Sequence, residues 1–227
     1  MIRSLIAGAL LLASPLQAEE LQILNFPDET VILLTGEITQ GTAQRLDVLL
    51  TANPTITKVG MVSGGGLANE GFNLASVLSN HNVTAVVPRG YACLSACAIG
   101  FIGAKEYVIL GAIGFHNMYI NDENLVEADK LSLLLNGQRF GVRTAIFFVA
   151  NGFEMELPYV ISVLTNPEEF IIFGSTEDLL TFFARTEEDN VVDYLATNDI
   201  DEAWIEAHLF DSSRLAWYLR GEENNAR

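Results

Sequence analysis

The chain is poor in basic side chains. Its 227 residues include 12 lysines and arginines against 29 aspartates and glutamates, which gives a formal charge of −17 at pH 7. A surface this acidic repels nucleic-acid backbones and anionic membrane surfaces. We therefore expect no nucleic-acid partner, and we assign the acidity to a solvated surface rather than to any particular chemistry.

Long apolar runs are also missing from most of the chain. After residue 18, no stretch of eighteen apolar residues without a charge occurs, and a helix needs about twenty to cross a bilayer. Hydrophobic residues make up 50% and charged residues 18%, which is typical of a folded globular protein. The length allows one sizeable core. We expect one domain over residues 19–220 and a flexible tail over residues 221–227.

Residues 1–18 are the exception. Arg3 is their only charged side chain, residues 5–13 are apolar, and Ala18 is followed by Glu19 and Glu20. This is the layout of a secretory signal peptide, and the apolar run is too short to span a bilayer. We expect cleavage after Ala18 and a mature protein outside the cytoplasm, either periplasmic or secreted.

Cysteine and histidine are scarce. Cys93 and Cys97 are the only cysteines, in a C-x-x-x-C spacing that is not the C-x-x-C redox motif, and the chain has three histidines. No second Cys/His pair completes a zinc site, so we expect no metal and no cofactor. In an oxidising compartment an even number of cysteines favours a disulfide. If the segment between them is helical, their Cα atoms are about 6 Å apart, which a disulfide accepts.

Strands and helices alternate through the first half of the chain, which places it in the α/β class. Apolar and β-branched runs predict strands, and apolar residues at helical spacing predict helices. The predicted strands are residues 30–34, 56–62, 83–87, 107–110, 113–115 and 170–173. The predicted helices are residues 42–50, 67–78, 92–103, 125–151, 154–164 and 176–183, and the acidic remainder from residue 186 is helix-prone.

Three segments carry candidate chemistry. Ser63-Gly64-Gly65-Gly66 links a strand to a helix, where glycine amides form either an ordinary turn or an oxyanion hole. Ser95 lies near the start of a predicted helix of small residues and is either a cap or a nucleophile. His116 ends an apolar strand and is either structural or a general base. His81 and His208 lie in polar surroundings, and we assign them no role.

The order and spacing of these segments resemble the ClpP-type serine peptidases of the ClpP/crotonase superfamily. Each segment falls at the end of a strand or the start of a helix in successive β-α units, where sites in such folds form. The similarity covers roughly residues 30–120. Residues 31–38 resemble the family's first strand and its L-T-G turn, and Ala52-Asn53-Pro54 resembles the break before its second strand. Ser63-Gly64-Gly65-Gly66 stands where the family has S-P-G-G. Gly90-x-Ala92-x-x-Ser95 resembles its G-x-A-x-S motif with one extra residue, and Gly114-x-His116 resembles the segment with its catalytic histidine.

The chain is still more similar to a group of ClpP-like proteins with signal peptides, described as predicted periplasmic proteins, that pair S-G-G-G with C-x-S-A-C. The resemblance implies a ClpP/crotonase-like spiral of ββα units with extra C-terminal helices. It also implies Ser95 as the nucleophile and His116 as the general base. The amides of Gly66 and Ala96, with Gly65 as a further candidate, would form the oxyanion hole.

The chain departs from the family at the aspartate that orients the histidine. Residues 165–167 stand at that position and contain no acid. Asn166 is the candidate third member, because an amide oxygen can accept a hydrogen bond from the imidazole and fix its tautomer. Glu168, Glu169 and Asp122 are the alternatives.

The sequence leaves four functions open. The first is Ser–His acyl transfer, with hydrolysis of a peptide or protein substrate. The main rival, favoured by the missing acid, is a binding or structural module that keeps the fold without efficient catalysis. A crotonase-like acyl-thioester enzyme and a thiol-redox role for Cys93 and Cys97 are further alternatives. The assembly of the family's members implies a homo-oligomer, whereas no ATP-driven unfoldase partner is expected outside the cytoplasm.

Overall fold

The computed structural model describes residues 20–117, 127–151, 161, 164–166, 168–183 and 202–219. The predicted signal peptide, the predicted tail, most of the predicted helix at 154–164 and the alternative acid Asp122 lie outside these residues. Within the described part of the chain, no helix has both the length and the apolar character that a membrane span requires.

The described elements alternate between strands and helices, which confirms the α/β class. In chain order they are β1 (Glu20–Asn25), β2 (Thr30–Thr35), α1 (Thr42–Ala52), β3 (Lys58–Val62), α2 (Ala68–Asn80), β4 (Thr84–Val87), β5 (Ala92–Leu94), α3 (Ala96–Phe101), β6 (Glu106–Ile109), β7 (Ala112–Phe115), α4 (Glu127–Ala150), β8 (Phe170–Phe173), α5 (Thr176–Phe183), α6 (Glu202–His208), β9 (Leu209–Phe210) and α7 (Ser212–Leu219).

The larger sheet has the strand order β1-β2-β3-β4-β6. Strands β2, β3, β4 and β6 are parallel, and β1 pairs antiparallel with β2 at the edge. The register aligns Ile32, Val59 and Ala85 in one row, and all three are fully buried. Because side chains alternate across a strand, this row belongs to a continuous apolar face, which forms the main core together with the buried faces of α1 and α2.

The smaller sheet has the order β5-β7-β8-β9, in which β5 and β7 are parallel. The chain sends one strand to each sheet before a helix, as in β4-β5-α3 and β6-β7-α4. Between β3 and α2, Ser63 forms a single parallel bridge to Cys93 of the smaller sheet, which is a shortened form of the same ββα unit. The described residues thus contain the repeated ββα pattern that the resemblance implies.

Helices α2 and α3 approach each other closely at Gly71. A Cβ built on Gly71 would lie 2.6 Å from the carbonyl oxygen of Ala96, which is too close for any other residue without movement of the backbone. The absence of a side chain at Gly71 therefore allows α2 to contact the first residue of α3, which follows Ser95 directly.

The prediction of one helix over residues 92–103 is wrong at its start. Ala92–Leu94 form β5, and the helix covers only Ala96–Phe101. Small apolar residues suit a buried strand as well as a buried helix, and pairing with β7 decides between them here. The edge strand β1 was not predicted either, whereas β8 and α5 have the predicted bounds. Gly137 and Gly141 do not interrupt α4.

Candidate active site

Ser95 occupies a sharp turn between β5 and α3. Its backbone angles are φ 55° and ψ −121°, and a positive φ costs a residue with a Cβ about 1–3 kcal/mol. The Ser95 N–H donates to the carbonyl oxygen of Gly114 at 2.9 Å. The turn is therefore held by the neighbouring strand β7, and the side chain of Ser95 remains half-exposed.

His116 meets Ser95 because β5 and β7 are parallel neighbours. Leu94 pairs with Gly114, so Ser95 and His116 both lie just beyond the carboxyl ends of their strands. His116 Nε2 is 2.8 Å from Ser95 Oγ, although 21 residues separate them in the chain. In the tautomer with Nε2 unprotonated, the hydroxyl donates to the imidazole, which is the geometry of a nucleophile with its base. The ring packs on Phe170, with 4.5 Å between centroids.

The glycine turn packs directly behind Ser95. Gly65 has φ +107°, and a Cβ there would lie 2.6 Å from Ser95 Cβ and 2.9 Å from the carbonyl oxygen of Leu94. Ser63 Oγ donates to the carbonyl oxygen of Gly36 at 2.5 Å and accepts the Gly65 N–H at 3.1 Å. Gly65 is therefore needed for close approach, but its single amide hydrogen is directed at Ser63. This corrects the expectation that Gly65 is a candidate oxyanion donor.

The backbone amides of Gly66 and Ala96 are the remaining candidate oxyanion donors. Ile38 donates its N–H to Gly65 and accepts the N–H of Leu67, a parallel bridge that turns the N–H of Gly66 away from Ile38. The Ala96 N–H is the first of α3, where a helix offers no internal acceptor. Within the described part of the chain, neither amide has an acceptor. Because Ala96 is fully buried, a ligand oxygen that accepts from its N–H would make a hydrogen bond shielded from water.

Asn166 does not contact the imidazole. Its Oδ1 accepts the Glu168 N–H at 2.9 Å, and its Nδ2 donates to Glu169 Oε2 at 2.5 Å. No hydrogen bond joins Asn166 to His116 in the described structure, because the amide caps its own turn. The expected placement of Asn166 against the histidine is thus not observed. The alternatives Glu168 and Glu169 are the residues that bond to Asn166 in this turn.

Two residues beside the histidine were missed from the sequence. The Thr165 hydroxyl accepts the Asn117 N–H at 2.7 Å and donates to the carbonyl oxygen of Ile161 at 2.7 Å. This buried threonine fixes the residue that follows His116. Phe170 supplies the ring on which His116 packs. Neither has a signal in the sequence, since the contacts form between segments about fifty residues apart.

Cys93 and Cys97 form a disulfide, with 5.2 Å between their Cα atoms. The bond agrees with the sequence-based prediction, but the local structure differs, because Cys93 lies in β5 and only Cys97 is helical. The bond therefore joins the strand before Ser95 to the helix after it. Both cysteines are fully buried.

Fold and site together define an α/β protein with a serine and a histidine in hydrogen-bonding contact at the ends of two parallel strands. No protein-family model matches the sequence, and no curated protein matches it. Among solved structures, the chain is similar to a ClpP1 mutant from Listeria monocytogenes, at 15% sequence identity and a TM-score of 0.47, over 65% of this chain and 84% of that one.

Proposed function

We propose that this chain is an exported serine hydrolase that cleaves acyl bonds, most naturally those of peptides. The observation that carries the proposal is the 2.8 Å contact between Ser95 Oγ and His116 Nε2. Ser95 stands in a strained turn, and strained residues that neighbouring structure holds in place are frequent at functional sites. A serine serving only as a helix cap would accept a backbone N–H, whereas Ser95 makes no side-chain cap bond.

The proposed reaction proceeds in two acyl transfers. His116 Nε2 takes the hydroxyl proton as Ser95 Oγ attacks the substrate carbonyl carbon, and the same nitrogen returns the proton to the leaving amine. Water then attacks the acyl-serine ester. It gives its proton to His116, which passes it to Ser95 Oγ as the ester bond breaks and the carboxylic acid leaves.

The amides of Gly66 and Ala96 are the proposed oxyanion donors. They belong to the two segments that pack against each other at Ser95, and neither amide has an acceptor within the described residues. Donors fixed before the reaction stabilise the charge that develops on the carbonyl oxygen, and one such donor is worth about 3 kcal/mol. The exposure of Gly66 leaves this side of Ser95 open to a substrate.

Export is part of the proposal. The layout of residues 1–18 supports a signal peptide. The buried disulfide supports it independently, because disulfides persist in oxidising compartments and are rare in the cytoplasm. Fractionation of cells producing the full chain tests this point. Recovery of an uncleaved chain in the cytoplasm alone would contradict it.

A second candidate is a binding module that keeps the fold without efficient catalysis. The observation that favours it is the position of Asn166, whose amide is bonded within its own turn and not to His116. Asn166 therefore does not supply the hydrogen bond by which a third member of a triad fixes the tautomer of the imidazole. A peptide or protein remains the proposed ligand of the same cleft in this case.

Labelling of Ser95 by a fluorophosphonate separates the two candidates. The mature chain, Ser95→Ala and His116→Ala are incubated with the reagent, and the modified residue is identified by peptide mass spectrometry. We expect stoichiometric labelling of wild-type Ser95, none in Ser95→Ala, and a rate at least about a hundredfold lower in His116→Ala. A folded wild-type chain that stays unlabelled would decide for the binding module. Cleavage of an unbiased peptide library by labelled and unlabelled protein then tests the substrate class.

A further inference from the structure

The disulfide spans the proposed nucleophile symmetrically. Cys93 precedes Ser95 by two residues and Cys97 follows it by two, so the covalent bond closes a five-residue loop with Ser95 at its centre. One end of the loop is the strand β5 and the other is the first turn of α3. No other covalent bond between side chains is present in the described structure.

The strand end of this loop is firmly anchored. Ser63 donates its N–H to the carbonyl oxygen of Ala92 at 3.1 Å and accepts the N–H of Leu94 at 2.9 Å. These two bonds bracket Cys93 and fix it to the first residue of the glycine turn. On its other edge Cys93 pairs with Ile113 of β7. Cys93 is therefore a fixed point that already belongs to the segments carrying Gly66 and His116.

The helix end of the loop carries the remaining parts of the site. Ser95 has φ 55°, and a serine released from this angle relaxes towards negative φ. Relaxation rotates the Cα–Cβ bond and with it the direction of Oγ. The same rotation moves the Ala96 N–H. The contact of 2.8 Å with His116 thus depends on what holds α3 in place against β5.

We propose that the Cys93–Cys97 disulfide is the positioning cross-link of the active site, which keeps Ser95 in its strained turn with Oγ on His116 Nε2 and the Ala96 amide beside that of Gly66. This inference rests on the proposed function and goes beyond it in one respect. The reduced chain is inactive, and the site is completed when a disulfide-bearing oxidant of the oxidising compartment exchanges with the thiols of Cys93 and Cys97, which become the disulfide while the oxidant leaves as its dithiol.

A contribution to global stability alone explains the disulfide less well. Cross-links stabilise mainly by restricting the unfolded chain, and the effect is smallest for short loops. The loop here has a sequence separation of 4. A contribution to global stability does not explain why the disulfide joins the residues on either side of Ser95.

Three forms of the mature chain test the proposal: the oxidised wild type, the wild type reduced with dithiothreitol, and the double variant Cys93→Ala/Cys97→Ala. The reduced wild type keeps both sulfur atoms and loses only the cross-link, so it separates tethering from packing. Val83→Ala is the matched control, because Val83 is buried in the core before β4, away from the strand ends that carry the site. Thiol titration and circular dichroism verify the redox state and the fold.

Two readouts distinguish positioning from stability. The first is the rate of fluorophosphonate labelling as a function of pH. We expect it to fall about a hundredfold in both forms without the cross-link, since a displacement of roughly 1 Å costs that much, to recover on reoxidation, and to stay at the wild-type value in Val83→Ala. Equal rates in oxidised and reduced wild-type protein would overturn the proposal.

The second readout is the ¹⁵N chemical shift of His116 Nε2, which does not depend on catalysis. If the oxidised wild type is not labelled, the proposed function fails and this measurement decides the inference by itself. Ser95→Ala should change the shift in the oxidised protein, where the hydroxyl donates to Nε2, and leave it unchanged in the reduced protein. The same change in both redox states would show that the disulfide does not hold the pair together.

Discussion

Replacement of Gly65 by alanine tests the geometry of the site most directly. The added Cβ would lie 2.6 Å from Ser95 Cβ and 2.9 Å from the carbonyl oxygen of Leu94, at φ +107°. The left-handed backbone costs alanine about 1–2 kcal/mol, and overpacking a rigid contact costs about 1–3 kcal/mol. We expect a loss of about 3 kcal/mol in the free energy of unfolding, which lowers the thermal midpoint by about 6–12 °C in a chain of this size.

The neighbouring glycine supplies a control of the same chemistry. A Cβ on Gly64 meets nothing within 4 Å, so alanine there is expected to be neutral or to stabilise by up to about 1 kcal/mol through the unfolded chain. The two variants differ by one position and have the same composition. Any difference between them therefore reports the contact of Gly65 with Ser95 rather than a general property of the turn.

Thermal unfolding and labelling are measured together on both variants. We expect Gly65→Ala to lose stability, or the turn to move away from Ser95 and labelling to slow by at least about tenfold, because the Gly66 amide moves with it. Gly64→Ala keeps the wild-type values. A Gly65→Ala variant with the wild-type midpoint and the wild-type labelling rate would refute the packing of this turn against the nucleophile.

Three further predictions concern Asn166, the ring beside His116 and the start of α7. Asn166→Ala should change the labelling rate by less than about threefold, against at least about a hundredfold for His116→Ala. Equal decreases of the labelling rate in the two variants would show that Asn166 acts together with His116. Phe170→Leu should lower kcat about tenfold and change KM little, because the imidazole loses the ring on which it packs. A rise in KM with kcat unchanged would contradict this. Backbone and side-chain hydrogen bonds from Arg214 and Ser213 at the start of α7 hold the pKa of Asp211 below its ordinary value of 3.8. The stabilisation is thus present above that value and lost as pH falls through the folded pKa, so the difference in thermal midpoint between wild type and Asp211→Ala should shrink below about pH 4.

Much of the fold could be predicted because its signals are local. Apolar runs bounded by glycine, proline or asparagine predict most strands of the larger sheet, and helical spacing predicts α1 and α2 within a few residues. The strand β5 could not be predicted in this way. Its three residues are small and apolar, and only the pairing of Leu94 with Gly114 and the bridge of Cys93 to Ser63 make them a strand.

The candidate site was also only partly predictable from the sequence. Ser95 and His116 could be selected because the order and spacing of their segments resemble those of a known family, although neither segment is decisive alone. The approach of Thr165 to Asn117 could not, since a single hydrogen bond across 48 residues has no local signal. Asn166 was selected by its position in the sequence alone, and a sequence position does not show that the side chain caps its own turn.

The residues of the motif Ser63-Gly64-Gly65-Gly66 have different structural roles, although in the sequence they form a single glycine-rich motif. The Ser63 hydroxyl bonds to Gly36 and Gly65, and the Ser63 backbone bridges to Cys93 of the smaller sheet. Gly64 lies in open space, and Gly65 provides the close approach to Ser95. The Gly66 amide, which has no acceptor within the described residues, is left for a substrate. Since the first residue acts through hydrogen bonds rather than through chemistry at the substrate, Ser63→Ala should damage the site by releasing the turn, and its effect should combine with that of Gly65→Ala less than additively.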